Sequence, residues 1–211
     1  QNELERHQEP NRQIPREGRE LLLTSVPNLL TVSRILVIPP IVALFWIDDP
    51  AARWVCLGLF VTGALTDILD GYAARSMGQI SKFGRFLDPI ADKLLVGSVI
   101  LMLVAFDRLN GLAILPGLVI LCREILVSGL REFLADVKIH MPVSRLAKWK
   151  TTIQMTALGF LIVGDAGPKL LPTTSIGEIA LWAAALLTII TGYDYLRAGL
   201  AHVTDSPQQT S

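Results

Sequence analysis

Several residue classes are scarce in this chain of 211 residues, and each scarcity closes off a class of protein. There are two cysteines, Cys56 and Cys122, both inside apolar stretches and with no C-x-x-C pair, which excludes a disulfide-stapled fold. Three scattered histidines, His7, His140 and His202, leave no ligand set for a Cys/His zinc centre. Neither sign of charge is in excess: 19 Lys+Arg balance 19 Asp+Glu, so a strongly basic nucleic-acid binder is excluded. Aromatic residues make up 7% of the chain and charged ones 18%, below the roughly 25% charge of ordinary soluble domains. Residues 1–20 are polar and mixed in charge. They lack the short apolar core behind a basic start that marks a signal peptide, and none is expected.

Apolar sequence is what the chain has in abundance. It is 51% hydrophobic with a mean hydropathy of +0.48, and the apolar residues gather in six blocks. The blocks span residues 29–47, 51–69, 88–106, 109–130, 149–163 and 176–199. Most approach the ~20 residues that a helix needs to cross a bilayer. They are rich in Leu, Ala and Ile and lack two-residue alternation, which predicts helices rather than strands. Pro39, Pro40 and Pro116 are expected to bend the first and fourth. Ahead of the first block, residues 16–24 predict a short amphipathic helix in the membrane interface, ended by Pro27. The expected fold is all-α: a polytopic membrane bundle of six transmembrane helices preceded by that interfacial helix. It would occupy residues 16–203, between a flexible polar tail (1–15) and a disordered one (204–211).

Charge orients such a bundle. The basic N-terminal tail, Arg75, Lys82 and Arg85, and then Arg131, Lys138, Arg145, Lys148 and Lys150 fall on one side. The other side receives Asp48, Asp49, Arg53, Asp107, Arg108, Asp165 and Lys169. The positive-inside rule puts the first side, and with it both termini, in the cytoplasm. Six spans require the same.

Four aspartates sit at the cytoplasmic ends of the second and third blocks. Asp67 and Asp70 are three residues apart and share a helix face; Asp88 and Asp92 are four apart and share another. The short connection between the blocks returns the chain antiparallel, so the two pairs are expected to meet. Four facing carboxylates repel unless cations hold them. Oxygen-only ligands suit Mg²⁺ or Mn²⁺, and a two-ion site is physically natural. Gly71 and Gly84, without side chains, would let a bulky ligand approach the backbone. Ionisable groups at membrane depth are costly and mark function.

The run Asp67-x₂-Asp70-Gly71-x₂-Ala74-Arg75-x₈-Gly84-x₃-Asp88-x₃-Asp92 resembles the complete signature of the CDP-alcohol phosphotransferase family. The resemblance covers all six blocks. It implies a six-helix homodimeric membrane enzyme with a metal site open to the cytoplasm, passing a phosphatidyl group from CDP-diacylglycerol to an alcohol with release of CMP. Carried over by position, Asp67, Asp70, Asp88 and Asp92 hold the metals and Asp92 also serves as general base. Gly71, Ala74 and Gly84 shape the nucleotide slot, and Arg75 reaches phosphate. Asn28, Thr31 and Arg34 match the family's N-x₂-T-x₂-R opening near the nucleotide.

The acceptor is read from the fourth and fifth blocks. Arg123 lies two turns deeper than Arg131, where an uncompensated cation is costly. Glu124, the next residue, is expected to point elsewhere on the helix, so an anion in a cavity is the more economical partner. Lys148 and Lys150 add two cations. Arg123, Arg131, Lys148 and Lys150 thus form the candidate phosphate pocket of a phosphorylated acceptor. These stretches, with the run 86–93, are similar to the branch of the family that uses sn-glycerol 3-phosphate and makes phosphatidylglycerophosphate in the bacterial inner membrane. Phosphatidylglycerol and a phosphorylated inositol are the alternative acceptors. A cation transporter is the rival of another class. Its carboxylates would sit near the bilayer midplane, often with inverted repeats, whereas here they gather at one end and no repeat is visible.

Overall fold

The computed structural model describes residues 26–77, 82–136 and 145–204, and all the regular structure among them is helical. The elements are α1 (Val26–Leu36), α2 (Ile38–Leu44), α3 (Pro50–Met77), α4 (Lys82–Ala105), α5 (Ile114–Asp136), α6 (Arg145–Val163) and α7 (Thr173–Thr204). Single 3₁₀ turns, Gly111–Ala113 and Gly164–Ala166, precede α5 and follow α6. The six sequence blocks therefore appear as six helical stretches, the first being α1 and α2 together. Residues 1–25, with the expected tail and interfacial helix, and residues 205–211 lie outside the described residues.

The break at Val37 has a chemical cause. Pro39 and Pro40 have no N–H, so the i→i−4 ladder cannot run through them. It closes on one side with Val37 N–H to Ser33 O (3.0 Å) and resumes with Ile41 N–H to Val37 O (3.2 Å). Pro116, expected to bend its helix, falls instead in the first turn of α5, where a missing N–H removes no bond of the α-helix.

Among the described residues, two helical stretches are long and apolar enough to cross a membrane: Gly111–Ala135 and Thr173–Arg197. Two further apolar stretches, Thr31–Leu44 and Pro50–Thr66, are shorter. α7 packs along α6 and against α5, α1 lies on α3 and α4, and α3 rests on α6. Ile41, Phe60, Leu95, Leu103, Leu158 and Leu181 are among the fully buried side chains at these seams. The outward faces are apolar too: Leu101, Ile125, Ile179, Leu186 and Ile190 are all more than half exposed.

Two helix ends are closed by named groups. After α4, Asp107 takes a positive φ (54°) while Asp107 N–H and Arg108 N–H return to Val104 O and Leu103 O, which satisfies the terminal carbonyls. Arg108 then crosses over: Nη1 donates to Ile162 O at the end of α6 (3.2 Å) and its guanidinium lies 4.7 Å from the Phe45 ring centre. Burial, and then the neighbouring Arg53, pull the Arg108 pKa below its ordinary value.

Candidate active site

α4 presents Asp88 and Asp92 one turn apart and runs unbroken through Pro89 between them. Thr31 on α1 donates its hydroxyl to Asp88 Oδ1 at 2.5 Å, tying the two helices together at this end. Arg34, one turn further along α1, is buried with Thr31. Its Cγ lies 3.9 Å from where a Cβ on Gly63 of α3 would stand, and Leu95 of α4 lies 3.1 Å from the same point. A glycine at 63 thus lets three helices converge beside the Arg34 side chain.

That contact also sets a register. Only four residues separate α3 from α4, too few to span a helix length, so the two run antiparallel. Counting back from Gly63 opposite Leu95 brings residues 67 and 70 of α3 to the level of residues 91 and 88 of α4. The side chains of Asp67, Asp70, Ala74 and Arg75, the surroundings of Gly71 and Gly84, and the side chain of Asn28 in the first turn of α1 lie outside the described residues. Among the described residues no three His, Cys, Asp or Glu side chains gather closely enough to hold an ion. The donors at this end are carboxylates and a hydroxyl, oxygen only, which is the chemistry a hard divalent cation takes.

Two cavities flank this part of α4. One, about 580 Å³, is an apolar groove between α3 and α6. Trp54, Phe60 and Leu65 line it from α3, Met155 and Phe160 from α6, and Asp92 lies at one end. From Trp54 to Leu65 it follows α3 for roughly 16 Å. The other, about 310 Å³, lies between α4 and α5 and is polar, lined by Lys93, Arg123, Glu124, Ser128, Arg131 and Glu132. Asp92 and Lys93 are consecutive and so point about 100° apart around the helix. One faces the groove and the other faces the polar pocket.

The pocket brings together Arg123 and Arg131, as the sequence suggests, but the partner of Arg123 differs from expectation. Glu124 does not point away: its Oε1 lies 3.4 Å from Arg123 Nη1 and also accepts a hydrogen bond from Lys150 Nζ. Two long, flexible side chains on adjacent residues can fold towards each other, which counting helix positions does not capture. Arg123 Nη2 donates to Thr191 Oγ1 on α7 (3.0 Å), and its guanidinium lies 5.8 Å from the Tyr195 ring centre. Much of its charge is therefore met by protein, although its buried Nε has no acceptor among the described residues. Lys150 is buried and spent on Glu124, and Lys148 is exposed; neither lines the pocket.

Sequence reasoning passed over Lys93 and Gly192 and set Glu124 aside. A Cβ on Gly192 would stand 3.1 Å from Arg123 Cγ and 3.3 Å from its Nε, so this glycine makes room for the arginine. Lys93 and Glu124 each carried a usable signal, a charged residue next to one already singled out. Gly192 carried none.

The family model described as CDP-alcohol phosphatidyltransferase matches residues 24–190. A CDP-diacylglycerol–glycerol-3-phosphate 3-phosphatidyltransferase of Rickettsia typhi is 52% identical over 176 residues, covering 83% of this chain and 97% of that one. An enzyme of the same name from Cereibacter sphaeroides is 38% identical over 216 residues, covering 86% and 98%. Among solved structures, the Mycobacterium tuberculosis phosphatidylinositol phosphate synthase with CDP-DAG bound superposes with a TM-score of 0.62. It is 20% identical and the match covers 92% of this chain and 94% of that one, which is a likeness of fold. A family match over most of the chain, together with close relatives aligned almost end to end, shows that the chain belongs to the CDP-alcohol phosphatidyltransferase family.

Proposed function

We propose that this chain transfers the phosphatidyl group of CDP-diacylglycerol to sn-glycerol 3-phosphate, giving phosphatidylglycerophosphate and CMP. The observation that carries the reading is the 52% identity to a relative named for that reaction, over 83% of the chain. The polar pocket beside Asp92 agrees with it: Arg123 and Arg131 offer a phosphorylated acceptor cations that a free alcohol would not need.

The residues divide the work. Asp92 takes the proton of the acceptor hydroxyl as its oxygen bonds to the phosphatidyl phosphorus and the pyrophosphate P–O bond to CMP breaks. Asp67, Asp70, Asp88 and Asp92 would hold Mg²⁺ or Mn²⁺, with two ions expected. When bound, such ions offset the charge that gathers on the pyrophosphate and the leaving nucleotide. Asn28, Thr31, Arg34, Gly71, Ala74, Arg75 and Gly84 surround the nucleotide end of the donor. Arg123 and Arg131 bind the acceptor phosphate, and Lys150 supports them through Glu124. Lys148 stands at the cytoplasmic approach. The apolar groove between α3 and α6 takes acyl chain, and Asp92 at its end puts the reacting headgroup beside the lipid.

The same reading has six helices crossing a bacterial inner membrane, with both termini and the carboxylate end in the cytoplasm. Apolar outward faces and the concentration of Lys and Arg at one end support it. Assembly as a homodimer belongs to the reading through the family resemblance.

CMP release by the purified chain tests the function directly. CDP-diacylglycerol and Mg²⁺ or Mn²⁺ are supplied, with glycerol 3-phosphate, inositol 3-phosphate, serine or phosphatidylglycerol in separate reactions. Release with glycerol 3-phosphate alone is expected. Release with another acceptor keeps the family chemistry and overturns the acceptor assignment.

A further inference from the structure

Lys93 is used neither by the aspartate signature nor by the pair of arginines on α5, yet it faces the same polar pocket as Arg123 and Arg131. Its Nζ donates to Pro89 O one turn back on its own helix (2.7 Å), a solvent-exposed bond that holds the ammonium along α4. An ammonium has three N–H donors. One is used in this way, and no other hydrogen bond or ion pair of Lys93 is found among the described residues. The pocket so formed has cations on two walls, Lys93 on α4 and the two arginines on α5, and Glu124 and Glu132 of α5 also line it. Glu124 is already engaged by Arg123 and Lys150.

From this arrangement we infer that Lys93 is the third cation of the acceptor-phosphate site, binding the phosphate from the α4 side. The inference rests on the phosphorylated-acceptor reading above. Its content is geometric. A dianion between α4 and α5 draws on donors from both walls, and a contact to Lys93 places it one residue from Asp92, the group assigned to the acceptor hydroxyl. Arg123 and Arg131 alone would hold the phosphate on α5 with nothing fixing its distance to the base. Lys93 thus joins acceptor binding to the helix that carries the proton acceptor. A lysine serving only as an interfacial anchor would not distinguish the two substrates.

The test compares the full-length wild type with Lys93→Gln and Lys93→Arg, varying each substrate with the other saturating. Losing a charge-assisted phosphate contact raises KM for glycerol 3-phosphate about tenfold or more in Lys93→Gln. KM for CDP-diacylglycerol and the rate at saturating acceptor stay within about twofold of wild type. Lys93→Arg, which keeps the charge, recovers most of the loss. An unchanged acceptor KM, a parallel rise in both KM values, or a fall in kcat alone overturns the inference. A wild type that releases no CMP with glycerol 3-phosphate brings down the functional reading and this one together. A normal wild type beside an unaffected Lys93→Gln brings down only this one. If Lys93→Gln does not fold, acetylation of the wild-type lysines read by mass spectrometry decides. Glycerol 3-phosphate slows modification of Lys93 but not of Lys169 at the opposite end, and equal rates at Lys93 with and without it overturn the proposal.

Discussion

The two cavities on either side of α4 are built from opposite materials. The groove between α3 and α6 is walled by tryptophan, phenylalanine, leucine and methionine, and Asp92 is the one ionisable residue lining it among the described residues. The pocket between α4 and α5 has three cations and two carboxylates within about half the volume. One helix separates them, and consecutive residues on it serve the two. Such a partition suits a reaction between a lipid and a small water-soluble anion. Each substrate needs surroundings that the other would find costly, because a charge in an apolar groove is left unpaired and an acyl chain in an ionic pocket displaces well-bound water. On the proposed reading, the reacting groups meet at the edge of α4, where Asp92, the proposed general base, stands.

Removing that base has the largest expected effect on this arrangement. Asp92→Asn keeps the shape and volume of the side chain but cannot accept the proton. CMP release is expected to fall by about a thousandfold or more, with thermal stability unchanged. Normal turnover in a folded Asp92→Asn would remove Asp92 from the chemistry and break the link between the two cavities.

Next in size, and selective for one side, is Arg123→Ala. It removes a guanidinium that touches Glu124, Thr191 and the Tyr195 face. KM for glycerol 3-phosphate is expected to rise roughly ten- to a hundredfold while KM for CDP-diacylglycerol stays near wild type. Freed of Arg123, Glu124 remains paired with Lys150, so the fold should survive. An unchanged acceptor KM would leave the pocket without its phosphate.

The opposite selectivity is expected of Thr156→Trp. Thr156 lines the groove, is exposed, and donates its hydroxyl to Thr152 O of its own helix (2.8 Å). An indole there fills groove volume without disturbing buried packing. KM for CDP-diacylglycerol is expected to rise about tenfold and that for glycerol 3-phosphate to stay unchanged. If both substrates respond alike to Thr156→Trp and Arg123→Ala, the two cavities are not separate binding sites.

How much of this could be read from the sequence depends on the range of the interaction concerned. The six helical stretches follow from apolar runs, and their polar inner ends extend beyond those runs. The second block stops near residue 69 whereas α3 continues to Met77, and α4 begins at Lys82 rather than near residue 88, close to the short connection of residues 76–82 that the sequence suggests. A backbone hydrogen-bond ladder continues wherever residues tolerate helix, whether or not their side chains are apolar. The spacing of Asp88 and Asp92 was legible because a helix fixes which residues share a face. The bond from Thr31 to Asp88 and the pairing of Glu124 with Lys150 were not, because each depends on how far one helix is slid along another. That offset is decided by packing at places such as Gly63, where three helices converge.

Gly192→Ala probes that packing at the smallest scale. The added methyl would stand 3.1 Å from Arg123 Cγ and 3.3 Å from Arg123 Nε, closer than ordinary van der Waals contact. Its neighbour is a flexible side chain rather than backbone, so the arginine can yield by a few tenths of an ångström and the helices can stay in place. Yielding strains the bond to Thr191 and moves the guanidinium towards the pocket. The expected result is a change in acceptor KM of about two- to fivefold, with KM for CDP-diacylglycerol and thermal stability close to wild type. Combining it with Arg123→Ala separates cause from coincidence. If the glycine acts by making room for the arginine, the methyl has no further effect on acceptor KM once the arginine is gone, and the two changes are strongly non-additive. Additive effects would mean that Gly192 matters for the packing of α7 alone, and that the position of Arg123 is set by Glu124 and Thr191 without it.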